Sequence, residues 1–156
     1  TRESILKMLE KYMEKEMLAG YNKAVKDCGN KNPDFTFDMQ TVNIVKETKN
    51  TINDIFKEIS KRIKNCKTRE EKETVFNSLE YRVRFLTEYT VSKSYWYAYV
   101  KTCNALGKDK VYVDFGNSED RKHHKNIIDT NHFSLDDIPP FHAYCSCKIK
   151  SEKGGE

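Results

Sequence analysis

No run of apolar residues in this chain comes near the eighteen or so that a membrane-crossing helix needs, and no charged-then-apolar leader opens it. A soluble, unsecreted protein is expected. Proline is scarce, at three residues, and glycine is limited to six, so long uninterrupted elements are expected with little punctuation between them. Cysteine occurs five times, an odd number, and Cys28, Cys66 and Cys103 stand in no spacing relation to one another. That argues against the disulfide framework of a secreted domain and for synthesis in a reducing cytosol. Charge of one sign is lacking too. Lys and Arg number 28 against 24 Asp and Glu, a net charge of +4 that is interspersed rather than gathered in one block. A solvated helical surface is the plain reading of such a mixture.

What the chain does have is length for one domain with a modest core, 156 residues, and a low mean hydropathy of −0.83 that favours an extended, charge-rich shape. Thr1 stands in place of Met and a helical pattern is already running there, as in a piece of a longer protein. Ile5, Leu6, Leu9, Met13, Met17, Tyr21, Ala24 and Val25 recur at helical spacing, and Gly29 follows as a stop, which predicts a helix over 4–28. After a loop containing Pro33, Asp38 can cap a second helix whose stripe runs Val42, Val45, Ile52, Ile55, Phe56, Ile59, Ile63 and Cys66, with Thr48 and Lys49 in the gap. Thr68-Arg69-Glu70-Glu71 has the form of a capping box and opens a third helix that ends at Gly107. Its expected core is Val75, Phe76, Leu79, Val83, Leu86, Thr90, Tyr95, Ala98, Tyr99, Thr102 and Leu106. So long a helix invites a break near Asn77-Ser78 or within 90–94.

Beyond Gly107 the period changes. Residues 110–115 and 145–150 alternate as strands, so a sheet of two or three strands follows the helices. The fold class expected is α+β, predominantly α: a bundle of long antiparallel helices over 1–107, a small β-module over 108–150, and a disordered tail over 151–156. Tyr89, Tyr95, Trp96, Tyr97 and Tyr99 could stack bases, but at helical spacing some rings must face the bundle, and core packing is their expected role. Candidate contacts to nucleic-acid phosphates are Lys57, Lys61, Arg62 and Lys64 in the most basic stretch, with Arg121, Lys122 and Lys125 next.

The polar chemistry is segregated near the C-terminal end, where all four histidines lie. Pro139-Pro140-Phe141-His142 leads into Cys145-Ser146-Cys147, and in a strand the two sulfurs share a face. With His142 just before them and His123 or His124 as the fourth donor, they could hold a zinc ion that staples a small module. The alternative is a buried Cys145, a half-exposed Cys147 and a His142 bonded to backbone in the proline turn. A Cys145 to Cys147 disulfide is strained by so short a loop. A different reading takes Asp120, His123, His124, Asn131 and His132 as a metal-dependent nuclease, though no Gly-rich phosphate cradle or second carboxylate pair accompanies them. A non-specific nucleic-acid-binding module is the further alternative.

The order of Thr87-Glu88, Gly107, the strand Val111 to Phe115 and the segment Pro139-Pro140-Phe141-His142-Ala143-Tyr144-Cys145-Ser146-Cys147 resembles the Mu F-like minor head proteins of tailed phages, also called head morphogenesis proteins. The resemblance covers 87–149. Ala143 stands where the family has Pro, Ser146 where it has Arg, and the histidines at 123 and 124 where it has an upstream Cys-x-x-Cys or Cys-x-x-His pair. The resemblance implies a structural, non-enzymatic virion component. It would sit in a few copies inside the procapsid at the portal vertex, with portal and scaffold or capsid proteins as partners. It would aid head assembly and the packaging or retention of DNA after being made in a bacterial cytoplasm. Some members carry a toxin domain beyond this signature; within the seven residues after Ile149 none is expected, unless the chain is a shortened piece of a longer protein.

Overall fold

The computed structural model describes residues 2–29, 31–34, 43–116, 126–142 and 145–152. Helix α1, Arg2–Asp27, buries Leu9, Met13, Met17, Gly20 and Ala24 at spacings of three and four, and stops where Gly29 takes φ 97°. Helix α2, Asn43–Lys64, buries Ile44, Val45, Thr48, Ile52, Ile55 and Ile59 along one stripe. Thr48 lies inside that stripe at little cost because its hydroxyl donates back to the Ile44 carbonyl at 2.7 Å. The Asp38 cap falls outside the described residues.

Helix α3, Arg69–Ala105, starts with the capping chemistry that its sequence announces. Glu71 N–H donates to Thr68 Oγ1 at 3.1 Å, while the Glu71 carboxylate reaches back to the N–H of Lys67, one residue beyond the usual position, at 2.7 Å. Its end is a Schellman motif: Gly107 N–H bonds Asn104 O, Lys108 N–H bonds Cys103 O, and Gly107 takes φ 92°. The break expected at 77–78 or 90–94 does not occur, and the helix runs 37 residues without interruption. The hydroxyls of Thr87 and Ser94 turn back onto the carbonyls of Val83 and Thr90, so they are satisfied inside the helix instead of competing with it.

The helices run up, down and up. Arg2 lines one groove with Lys61 and Lys64 while Glu10 pairs Lys49 at 2.9 Å, so α2 runs antiparallel to α1; a short connection after Lys64 turns the chain back into α3 at Arg69, where Arg82 pairs Glu58 at 2.7 Å. Tyr99 Oη donates to Asp27 Oδ2 at 2.7 Å, and Gly20 lies against the backbone of Tyr95, so α1 and α3 lie side by side in the same direction. The expected α3 core is only partly right: Phe76 is 54% exposed and Tyr95 half-buried, while Lys93, Ser94, Val100 and Cys103 are buried. A straight helix drifts about 20° per heptad against a fixed stripe. Over its length α3 therefore turns different faces to α2, to α1 and then to the sheet.

Strands β1, Lys110–Asp114, β2, Ile127–Asp129, and β3, Lys148–Lys150, form an antiparallel sheet in the order β2-β1-β3. Val111 pairs with Ile128 and Val113 with Ile149. β1 stops one residue short of expectation, and the last strand begins at Lys148 rather than Cys145. One apolar cluster joins Ala24, Tyr99, Val100 and Cys103 to Val111, Val113, Ile128, Ile138, Cys147 and Ile149. The boundary at 107 thus marks a change of secondary structure inside a shared core. Ser151 and Glu152, expected in a disordered tail, are instead placed, with Ser151 buried and Glu152 paired to Lys108 at 3.1 Å.

Candidate functional site

A cleft of about 700 Å³ separates the middle of α3 from the segment that returns to the sheet. Tyr81, Arg84, Phe85, Glu88, Tyr89, Ser92 and Trp96 form the helical wall, and Pro139, Pro140, His142, Cys145, Ser146, Cys147 and Lys148 form the other. Positions 81, 85, 88, 89, 92 and 96 follow the helical period, which is why one face of α3 supplies the whole wall. Phe85 and Tyr89 stack with centroids 6.1 Å apart and planes 15° from parallel. Trp96 meets Tyr95 and Tyr99 edge-on, tying the cleft to the core beneath. Of this aromatic group Tyr99 is fully buried and Trp96 and Tyr97 pack against the core, the role expected of them, while Tyr89 and Tyr95 are half-buried and Tyr89 faces the cleft.

Lys93 joins the two walls. It is 4% exposed, its Nζ donates to Tyr89 Oη at 2.7 Å and to the Pro140 carbonyl at 3.4 Å, and it lies 4.6 Å from the Tyr89 ring centroid. Sequence reasoning passed over this lysine, whose only local signal is the four-residue spacing from Tyr89. On the facing segment Ile138 and Pro139 are buried and the Pro139–Pro140 peptide is cis.

The two cysteines are placed the other way round from the alternative reading: Cys147 is buried and Cys145 is half-buried. Cys147 precedes β3 by one residue and shares the alternation of Ile149, so it is drawn into the same apolar cluster. Cys145 lies outside the strand and escapes that alternation. His142 is exposed at the cleft wall. His142, Cys145 and Cys147 therefore line one cleft, yet among the described residues no three His, Cys, Asp or Glu side chains form a group that could hold a metal. His123 and His124, the proposed remaining donors, lie outside the described residues, so the described donors do not by themselves make the zinc site.

Of the nuclease constellation, Asp120, His123 and His124 are likewise outside the described residues. His132 is exposed, with Nδ1 3.6 Å from Asp129 Oδ2. Asn131 Oδ1 accepts from Asn104 Nδ2 at 2.8 Å, which commits it to the end of α3. The carboxyl of Asp129 is held below the usual range, first by the backbone N–H of Asn131 and more weakly by His132.

Among the basic candidates, Lys57, Lys61 and Lys64 line an open groove together with Arg2 from the start of α1, beside Phe56, Glu3 and Glu58. Arg62 is exposed but is not part of that groove. Arg121, Lys122 and Lys125 lie outside the described residues. Glu58 is paired with Arg82 at 2.7 Å, so part of the acidic lining of this groove is already offset by a cation; the same hydrogen bond holds the Glu58 carboxyl below its usual range. Among the described residues no helix is long and apolar enough to cross a membrane. Comparison with protein-family models, with curated proteins and with solved structures finds no match to this chain.

Proposed function

We propose that the chain is a structural module of the kind its C-terminal half resembles, a Mu F-like minor head protein without catalytic activity. It acts at the portal vertex of a phage procapsid in head assembly and in packaging or retaining DNA. One observation supports this reading above the others: Glu88, of the Thr87-Glu88 pair, and the Pro-Pro-x-His-x-x-Cys-x-Cys segment, far apart in sequence, line the same cleft. The fold supports a mechanical role as well, since the segment closes the β-module onto α3 through Ile138, Pro139 and Cys147 within the core that the helices share.

In this reading the exposed face of α3 that carries Tyr81 at 71% and Phe85 at 44% exposure meets a portal or scaffold protein. The groove of Arg2, Lys57, Lys61 and Lys64 meets DNA phosphates without reading sequence. The test is co-expression with the portal protein of the same genome, followed by isolation of procapsids. Co-purification and a few copies per procapsid are expected. Procapsids that exclude the protein, or that assemble and fill with DNA normally in its absence, would overturn the reading. DNA retardation that weakens with added salt is expected, whereas plasmid cleavage with added Mg²⁺ or Mn²⁺ would favour a nuclease instead.

A further inference from the structure

The three cysteines without a spacing relation include two that tertiary structure brings into contact. Cys28 lies in the turn that follows α1, Cys103 lies in the last turn of α3, and their Sγ atoms are 3.7 Å apart. We propose that Cys28 and Cys103 are a dithiol modification site that takes a low-molecular-weight disulfide of the glutathione type as oxidant and closes to an intramolecular disulfide joining the ends of α1 and α3. A disulfide bond is about 2.05 Å long, so the sulfurs must approach by roughly 1.6 Å. The end of α1 is built to allow this. Cys28 N–H bonds Ala24 O at 2.9 Å, and among the described residues nothing lies within 4 Å of where a side chain on Gly29 would project.

The order of attack follows from exposure. Cys28 is half-buried and meets the oxidant first, its thiolate attacking one sulfur of the small disulfide to give a mixed disulfide and one released thiol. Cys103, fully buried and in contact with Cys28, then attacks the Cys28 sulfur, loses its proton to the departing second thiol and completes the bond. Two protein thiols are oxidised, and the small disulfide is reduced to two thiols. Burial pushes the Cys103 thiol up, so it is inert until its partner is activated. Closure would fasten the joint where α1, α3 and the sheet share one core. This inference is independent of any role at a phage portal.

The experiment incubates the full chain in buffers of graded oxidised-to-reduced glutathione ratio and reads intact mass, peptide linkage and thermal stability. Expected are a loss of about 2 Da, one linked pair of peptides carrying Cys28 and Cys103, and a rise in Tm of roughly 5–10 °C from closing so long a loop. Cys28→Ser should abolish the mass loss and the rise in Tm, and Cys66→Ser should retain both. Mapping of the unmutated protein does not depend on how any variant folds. Five free thiols in the most oxidising buffer, a persistent glutathione adduct at Cys28, or a linkage that maps to Cys145 and Cys147 would each overturn the proposal.

Discussion

Gly20→Ala sets two effects of opposite sign against each other at the point where α1 lies closest to α3. In an exposed helix interior the substitution stabilises by about 1 kcal/mol, because glycine loses more backbone freedom on folding than alanine. Here the added methyl would overlap the carbonyl of Tyr95, with the Tyr95 Cα only 3.3 Å away. A backbone carbonyl cannot rotate aside as a side chain would. The helices must therefore part by an ångström or more, loosening Met17, Ala24, Ala98 and Tyr99 together. Overpacking of this kind costs roughly 3–4 kcal/mol at the upper end of its range, leaving a net loss of about 2–3 kcal/mol. At about 2.1 cal/mol/K per residue, 156 residues give an unfolding entropy near 0.3 kcal/mol/K, so Tm should fall by roughly 6–9 °C. Urea unfolding with an unchanged slope and a lower midpoint would agree. An alanine variant more stable than the parent would refute the close approach of α1 and α3 and, with it, the shared core.

The Glu58 carboxyl is held below its ordinary 4.5 by Arg82, so its contribution is complete above that value and is lost as pH falls through the lower folded value. Thermal melts of the parent and of Glu58→Gln should differ near neutrality and converge in acid, and a difference that grows in acid would contradict the pairing. Lys93→Met keeps the stem but removes the donor to Tyr89 and Pro140, and a loss of about 1 kcal/mol is expected. Trp96, the single tryptophan, lines the same cleft, so its emission should shift to the red as the walls separate. Equal or greater stability would mean that burying the ammonium costs more than its bonds return. For the zinc proposal, about one equivalent is expected by elemental analysis of protein purified without chelator, and less than about a tenth of an equivalent would end it.

Helix identity was legible where a local rule had no competitor. Thr68 and Glu71 announce the start of α3, Gly29 and Gly107 announce ends, and each requires only atoms within a turn of itself. The candidate site was legible as residue types and not as an arrangement. Glu88 and the Pro-Pro segment could be singled out separately, but nothing local states that they share a cleft. Lys93 and Cys103 are ordinary in sequence and become consequential through what α1 and the returning segment place beside them.

By itself, then, the amino-acid order determined three long helices, the switch to alternating strands after Gly107 and the α+β class, because hydrophobic period and capping act within a few residues. Tertiary structure alone decided which face of α3 meets which neighbour and that Cys147 rather than Cys145 turns inward. It alone brought Cys28 against Cys103 and wedged Gly20 against a backbone carbonyl. Those outcomes depend on chain segments far apart in sequence competing for the same apolar space, and close packing leaves that competition few solutions.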